Sequence, residues 1–211
     1  LKRFMIKTSV SGYLSKMQMA IKQTICKFTL LIVISTLIAS QAIAKDNFAI
    51  FDTSINQGQI GIGKSFEDSV LYHESLEFGS SGEKLYLINQ DQTQVAILDF
   101  CCGNSGLITQ RIVITTPDRV APKRRINPTN IKAFISDHGF KVGTSSSILL
   151  KKLGIPIVKK HDKNSEYFEY FTQNQKFALL SDNNMPSYYS IYRINKKTKR
   201  IISIEFGFSE P

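Results

Sequence analysis

Residues 58–65 read GQIGIGKS, and the fold turns on what this stretch is. It matches G-x-x-x-x-G-K-[ST], the phosphate-binding loop of nucleotide-dependent enzymes. If that match is real, the chain is a parallel α/β domain in which Lys64 and Ser65 hold phosphate and Mg²⁺. VAILD (Val95 to Asp99) would then supply the metal-binding Asp99. The local context argues otherwise. A working phosphate loop leaves a buried apolar strand and opens a helix, so that free backbone N–H groups ring the phosphates. Here the preceding six residues are DTSINQ, a polar stretch.

Comparing the chain with itself gives a second reading. At an offset of 80 residues, IGIGKSFEDSV (Ile60 to Val70) falls on FKVGTSSSILL (Phe140 to Leu150). Ile60 meets Phe140, Ile62 meets Val142, Gly63 meets Gly143 and Ser65 meets Ser145. Upstream, Phe51 and Ile55 meet Ile131 and Ile135, each pair spaced i, i+4 as on one helix face. In this reading Gly63 and Gly143 form turns, and Ser65 or Thr144/Ser145 caps a helix. Lys64, which a phosphate loop cannot lose, is replaced by Thr144 in the second copy.

The second copy predicts a helix over 127–139, with Asn127 as cap, Pro128 at the first helical position and Gly139 as stop. A second short helix follows, closed by Leu153-Gly154 and Pro156. Period-two patterning then predicts strands at EYFEYF (Glu166 to Phe171), KFALL (Lys176 to Leu180), YYSIYRI (Tyr188 to Ile194) and IISIEF (Ile201 to Phe206). The first copy predicts strands at KLYLI (Lys84 to Ile88), VAILDF (Val95 to Phe100) and LITQRIVI (Leu107 to Ile114). TPDRVAPKRRINP (Thr116 to Pro128) is proline-rich and basic and has the character of a linker.

A helix, then x-x-V-G-T-S-x-x-x-x-L-x-x-L-G-I-P, then antiparallel strands resembles the repeat of the β-lactamase inhibitor protein family. It is similar too to the small outer-membrane lipoproteins that accompany the β-barrel assembly machinery. The resemblance covers roughly residues 127–208; the first copy lacks Leu-Gly-x-Pro. It implies an α+β fold of two tandem units, each a helix pair packed on a 3–4-stranded antiparallel sheet, over 45–115 and 127–211 with a linker at 116–126. It also implies a protein that works by binding another envelope or secreted protein. No enzyme-contacting residue of the inhibitor family carries over, since nothing outside the motif matches.

The N-terminal region predicts export. Lys22 and Lys27 precede an uncharged run from Phe28 to Ala39, and AIA (Ala42 to Ala44) follows. This is the layout of a secretory signal peptide over 17–44, cleaved near Ala44, with a periplasmic or secreted product. Residues 1–16 are read as an extension or start-site artefact. The 27 Lys and Arg against 17 Asp and Glu give a net charge of +10; six basic and no acidic residues lie in 1–44, which leaves +4. That mild balance does not indicate nucleic acid as a partner.

Candidate sites follow from residue chemistry. Cys101 and Cys102 are adjacent in a chain expected to meet an oxidising compartment. Neighbouring Cα atoms sit ~3.8 Å apart, closer than the usual disulfide range, so a vicinal bond would be strained; an intermolecular disulfide, or one buried and one exposed thiol, are the other readings. His73, His138 and His161 fall in separate segments. No catalytic constellation, cofactor site or metal site is legible. Tyr167, Tyr170, Tyr188, Tyr189 and Tyr192 are the candidate interaction surface, because exposed tyrosines on a sheet give large contact area at small entropic cost. Lys196, Lys197, Lys199 and Arg200 form a basic hairpin tip suited to anionic lipid or cell-wall polymer.

Overall fold

The computed structural model describes residues 48–78, 84–101, 107–122 and 124–209. The chain divides into two units, Leu1–Asn47 and Phe48–Pro211, and every described residue belongs to the second. The predicted signal segment and Cys102 lie outside the described residues. Among those residues no helix is long and apolar enough to cross a membrane.

The described residues form ten strands and two short α-helices: β1 (Ser54–Ile55), β2 (Ile60–Gly61), β3 (Lys84–Ile88), β4 (Val95–Cys101), β5 (Ile108–Thr115), β6 (Asn127–Pro128), α1 (Ser146–Leu153), β7 (Val158–His161), β8 (Ser165–Thr172), α2 (Ala178–Asp182), β9 (Tyr188–Asn195) and β10 (Ile201–Phe208). β1 and β2 form a small ribbon. The other eight form one sheet in the order β6-β3-β4-β5-β10-β9-β8-β7. All neighbours are antiparallel except β3 and β6. β5 and β10 join the two halves, with Ile112 opposite Phe206 and Ile114 opposite Ile204.

This overturns the expected two units, each with its own helix pair. The protein is mainly β, and both halves share one sheet and one core. The predicted helix over 127–139 is absent because its backbone groups are satisfied across the molecule rather than along a helix. Phe134 N donates to Gln94 Oε1, Gln90 N to the Ile131 carbonyl, and Asn56 N to the Ile135 carbonyl, at 2.8, 2.7 and 2.8 Å. Asn127 is not a cap: its amide group bonds both the N–H and the carbonyl of Glu77. KFALL, expected as a strand, instead leads into α2, where Ala-Leu-Leu are good helix formers and Leu180 alone is fully buried. The remaining predicted strands coincide with β3, β4, β5, β8, β9 and β10 to within a residue or two.

The two glycine turns are built alike. Gly63 and Gly143 have φ of 72° and 92°, a left-handed conformation that glycine adopts freely. Gly63 N bonds the Thr109 carbonyl and Phe66 N the Leu107 carbonyl; Gly143 N bonds the Ile201 carbonyl and Ser146 N the Lys199 carbonyl. Ser65 and Ser145 each accept a bond from the N–H two residues on. The copies then diverge. Ser145 opens the eight-residue α1, whereas Ser65 opens only a 3-10 turn, Phe66–Asp68. In the first copy Ser69 Oγ accepts from Leu71 N, a local bond that competes with helix continuation.

Alternation along the strands separates two faces. Leu85, Leu87, Leu98, Ile112, Ile204, Phe206 and their neighbours point into the core. That side is covered by Phe51, Ile55, Ile60, Ile62 and Phe66 from the N-terminal segment, by Phe134 and Phe140, and by Leu149, Leu153 and Leu180 from the helices. The other side is called the outer face below.

Candidate interaction face

The five candidate tyrosines divide between the faces. Tyr170, Tyr188 and Tyr192 are buried to 1%, 0% and 0% exposure and belong to the core, so they cannot present a surface. Their rings pack edge-on: Tyr170 on Tyr192, and Tyr188 on Phe51, Phe177 and Phe208. Burial raises the Tyr170 hydroxyl to about 12. Tyr167 and Tyr189 stand on the outer face, where register places Tyr167 opposite Arg193 and Tyr189 opposite Phe171. The sequence shows period two but not its phase, and the phase decides which tyrosines are covered.

The outer face has a polar centre. Arg111 donates to Asp99 through Nε at 2.7 Å and through Nη2, and its Nη1 reaches Glu205 Oε1 at 3.3 Å. Tyr189 donates its hydroxyl to the same Glu205 oxygen at 2.9 Å, and Lys84 Nζ lies 3.2 Å from Asp99. Burial would lower the Arg111 guanidinium, but its bonds to Asp99 and the charge of Glu205 outweigh this and raise it. Burial, reinforced by Glu205, raises the Tyr189 hydroxyl. Arg111 is therefore a fixed cation held between two carboxylates. Around it lie Ile97, Val113 and Ile191, half-buried, and Phe171, 44% exposed. Sequence reading missed this centre; the signal available was the alternation that places Asp99, Arg111 and Glu205 on polar positions of three separate strands.

Gly207 stands between Arg111 and Tyr189 in the ladder. A Cβ there would lie 2.8 Å from the Arg111 Cα and nearer still to the Gln110 carbonyl oxygen. Glycine is what lets the two strands close at this point.

The GQIGIGKS stretch has no phosphate-loop geometry. β1 and β2 are antiparallel, and a three-residue turn follows Ser65 in place of a helix. Gln59, Ile62, Gly63, Lys64 and Phe66 donate their backbone N–H groups to carbonyls of Asn56, Thr53, Thr109, Gly61 and Leu107. Those five amides are not free to surround a phosphate. The stretch does line an open cavity of about 570 Å³, together with Asp68, Ile108 and Thr109. Asp99 cannot join Lys64 there, because it stands on the outer face while this segment covers the core face.

Cys101 is disulfide-bonded at the end of β4, and its candidate neighbour Cys102 lies outside the described residues. Of the histidines, His73 bonds Ser75 and His161 is exposed on β7. His138 bonds Asp52 and the Ala49 carbonyl, so both ring nitrogens are occupied and neither is open to a substrate. Among the described residues no group of three His, Cys, Asp or Glu side chains is arranged to hold a metal ion. Compared with protein families, curated proteins and solved structures, the chain matches none.

Proposed function

We propose that the chain is an exported, non-enzymatic module that binds another protein of the cell envelope through the outer face of its sheet. The observation that carries this is the composition of that face. Phe171, Tyr189, Tyr167 and Ile191 share that face with a rigid Arg111 centre. Tyr, Phe and Arg are the residues enriched where protein surfaces meet, and an arginine already held by two carboxylates loses little freedom on binding. The resemblance of the Gly143 turn and α1 to the inhibitor-family repeat points the same way.

The test is capture from envelope extract with residues 45–211, beside a Phe171→Ala/Tyr189→Ala variant. Both side chains stand on the outer face, so the variant keeps the core, and its melting transition checks that it is folded. A protein held by the parent and released by the variant supports the reading. Equal retention by both, or none by either, overturns it.

A further inference from the structure

One end of the sheet collects the basic residues of several segments. The β9–β10 turn carries Lys196, Lys197, Lys199 and Arg200; the β7–β8 edge and turn carry Lys159, Lys160 and Lys163. The two turns are tied together: Lys196 N donates to the Asn164 carbonyl at 3.0 Å, and Lys196 Nζ reaches the Asp162 carbonyl. Arg193 lies over the Tyr167 ring, 5.1 Å from its centroid, and Arg119 acts electrostatically on the same tyrosine. The segments 117–119, 158–166 and 193–200 hold nine basic residues and three acidic ones, while the rest of 45–211 holds twelve basic against fourteen acidic. The net positive charge of the folded part is therefore concentrated at this end.

Two of the three acids there, Asp162 and Glu166, are already engaged, and Asp118 is exposed. Asp162 accepts from Tyr167, at 2.8 Å, and from Arg193, at 3.0 Å; Glu166 is shared by Lys199, at 2.9 Å, and Lys159, at 3.4 Å. Bonds from Tyr167 and the turn's N–H groups hold the Asp162 carboxyl well below its usual range, and the Lys199 bond lowers Glu166. Lys163 and Lys197 are exposed, with no ion pair among the described residues.

We propose that this end docks on an anionic phospholipid bilayer, turning the sheet edge toward the membrane. The basic end has two features that favour a bilayer. Its cations are mostly lysines, strongly hydrated point charges on flexible stems that suit a fluid array of headgroups better than a fixed bidentate partner. Ile155 and Ile157, 91% and 43% exposed, immediately precede β7 and its lysines, and give the same edge aliphatic side chains that can enter the headgroup layer.

The experiment is sedimentation of residues 45–211 with neutral phosphatidylcholine vesicles, with vesicles containing about a third phosphatidylglycerol, and with soluble dextran sulfate as competitor. Expected is binding to the anionic vesicles only, falling as salt is raised. Each basic residue near such a surface contributes ~1 kcal/mol, so Lys163→Ala/Lys197→Ala should weaken binding about thirtyfold. Neither side chain packs in the core, so the melting transition should not move. Ile155→Ser should weaken it further, and Phe171→Ala/Tyr189→Ala should not change it, which separates this surface from the outer face. Equal binding to neutral vesicles, no binding to anionic ones, or binding to dextran sulfate without binding to vesicles overturns the proposal.

Discussion

His138 donates from its ring Nδ1 and from its backbone N–H to one oxygen of Asp52, at 2.7 and 2.9 Å. The other ring nitrogen faces the Ala49 carbonyl, which can only accept. Both nitrogens face acceptors, an arrangement that favours the imidazolium. Asp52 is fully buried, and its second oxygen accepts from the Tyr192 hydroxyl. The N-terminal segment, the second turn and the sheet meet in this one cluster.

The first prediction is a pH dependence. The Asp52 bond raises His138 above 6.5, against burial and the Lys152 charge, which lower it. A histidine raised in the folded state adds stability fully below its unfolded value, and loses it as pH rises through the folded value. Urea midpoints should therefore hold below about pH 6.5 and fall as the pH rises above it. His138→Gln should flatten that slope. A parent protein whose midpoint is unchanged over this window would disprove the linkage.

Tyr192→Phe removes the hydroxyl that meets a fully buried carboxylate oxygen. The oxygen stays buried without its donor, which costs on the order of 1–3 kcal/mol. Tyr167→Phe removes a hydroxyl from an Asp162 that keeps Arg193 and the N–H groups of Asn164 and Ser165, so its cost should be within about 0.5 kcal/mol. Equilibrium unfolding of the two variants gives the comparison, and similar losses would contradict it.

Much of the sheet was legible and its connectivity was not. β3, β4, β5, β8, β9 and β10 follow from alternation, because each strand's own pattern carries that signal. The joining of β5 to β10 has no local signature: Arg111 and Gly207 are far apart in sequence and become partners only in the ladder. The 127–139 segment has apolar residues at helical spacing, but Phe134 and Ile135 donate their N–H groups to the side-chain oxygens of Gln94 and Asn56 in the other half. Long-range bonds of this kind override a short periodicity. The same holds for the site. Tyr188 and Tyr189 are adjacent and chemically alike, yet one is in the core and the other beside Glu205.

Gly207→Ala tests the close approach of β5 and β10. The added methyl group would press on backbone atoms of Gln110 and Arg111, which cannot swing aside as a side chain can. Overpacking of this kind costs typically about 1–3 kcal/mol. The clash sits beside Arg111 and Tyr189, so outer-face binding should weaken together with stability. An Ala variant as stable as the parent would show that the strands have room to separate.

Lys64→Ala addresses the sequence motif itself. Lys64 is exposed, and its stem lies along Gly61, where a Cβ would be 3.0 Å from the lysine Cδ. With its neighbouring amides bonded to carbonyls, the loop has no set of donors to offer a triphosphate. Mg·ATP should therefore leave the melting temperature of the parent unchanged, and Lys64→Ala should shift stability by no more than about 0.5 kcal/mol, as is usual for a surface substitution. A ligand that binds only the folded state at a hundred times its Kd adds about 2.7 kcal/mol, so true nucleotide binding would be plain in the same melt. A rise in melting temperature with Mg·ATP that disappears in Lys64→Ala would restore the phosphate-loop reading and overturn the one built on the paired glycine turns.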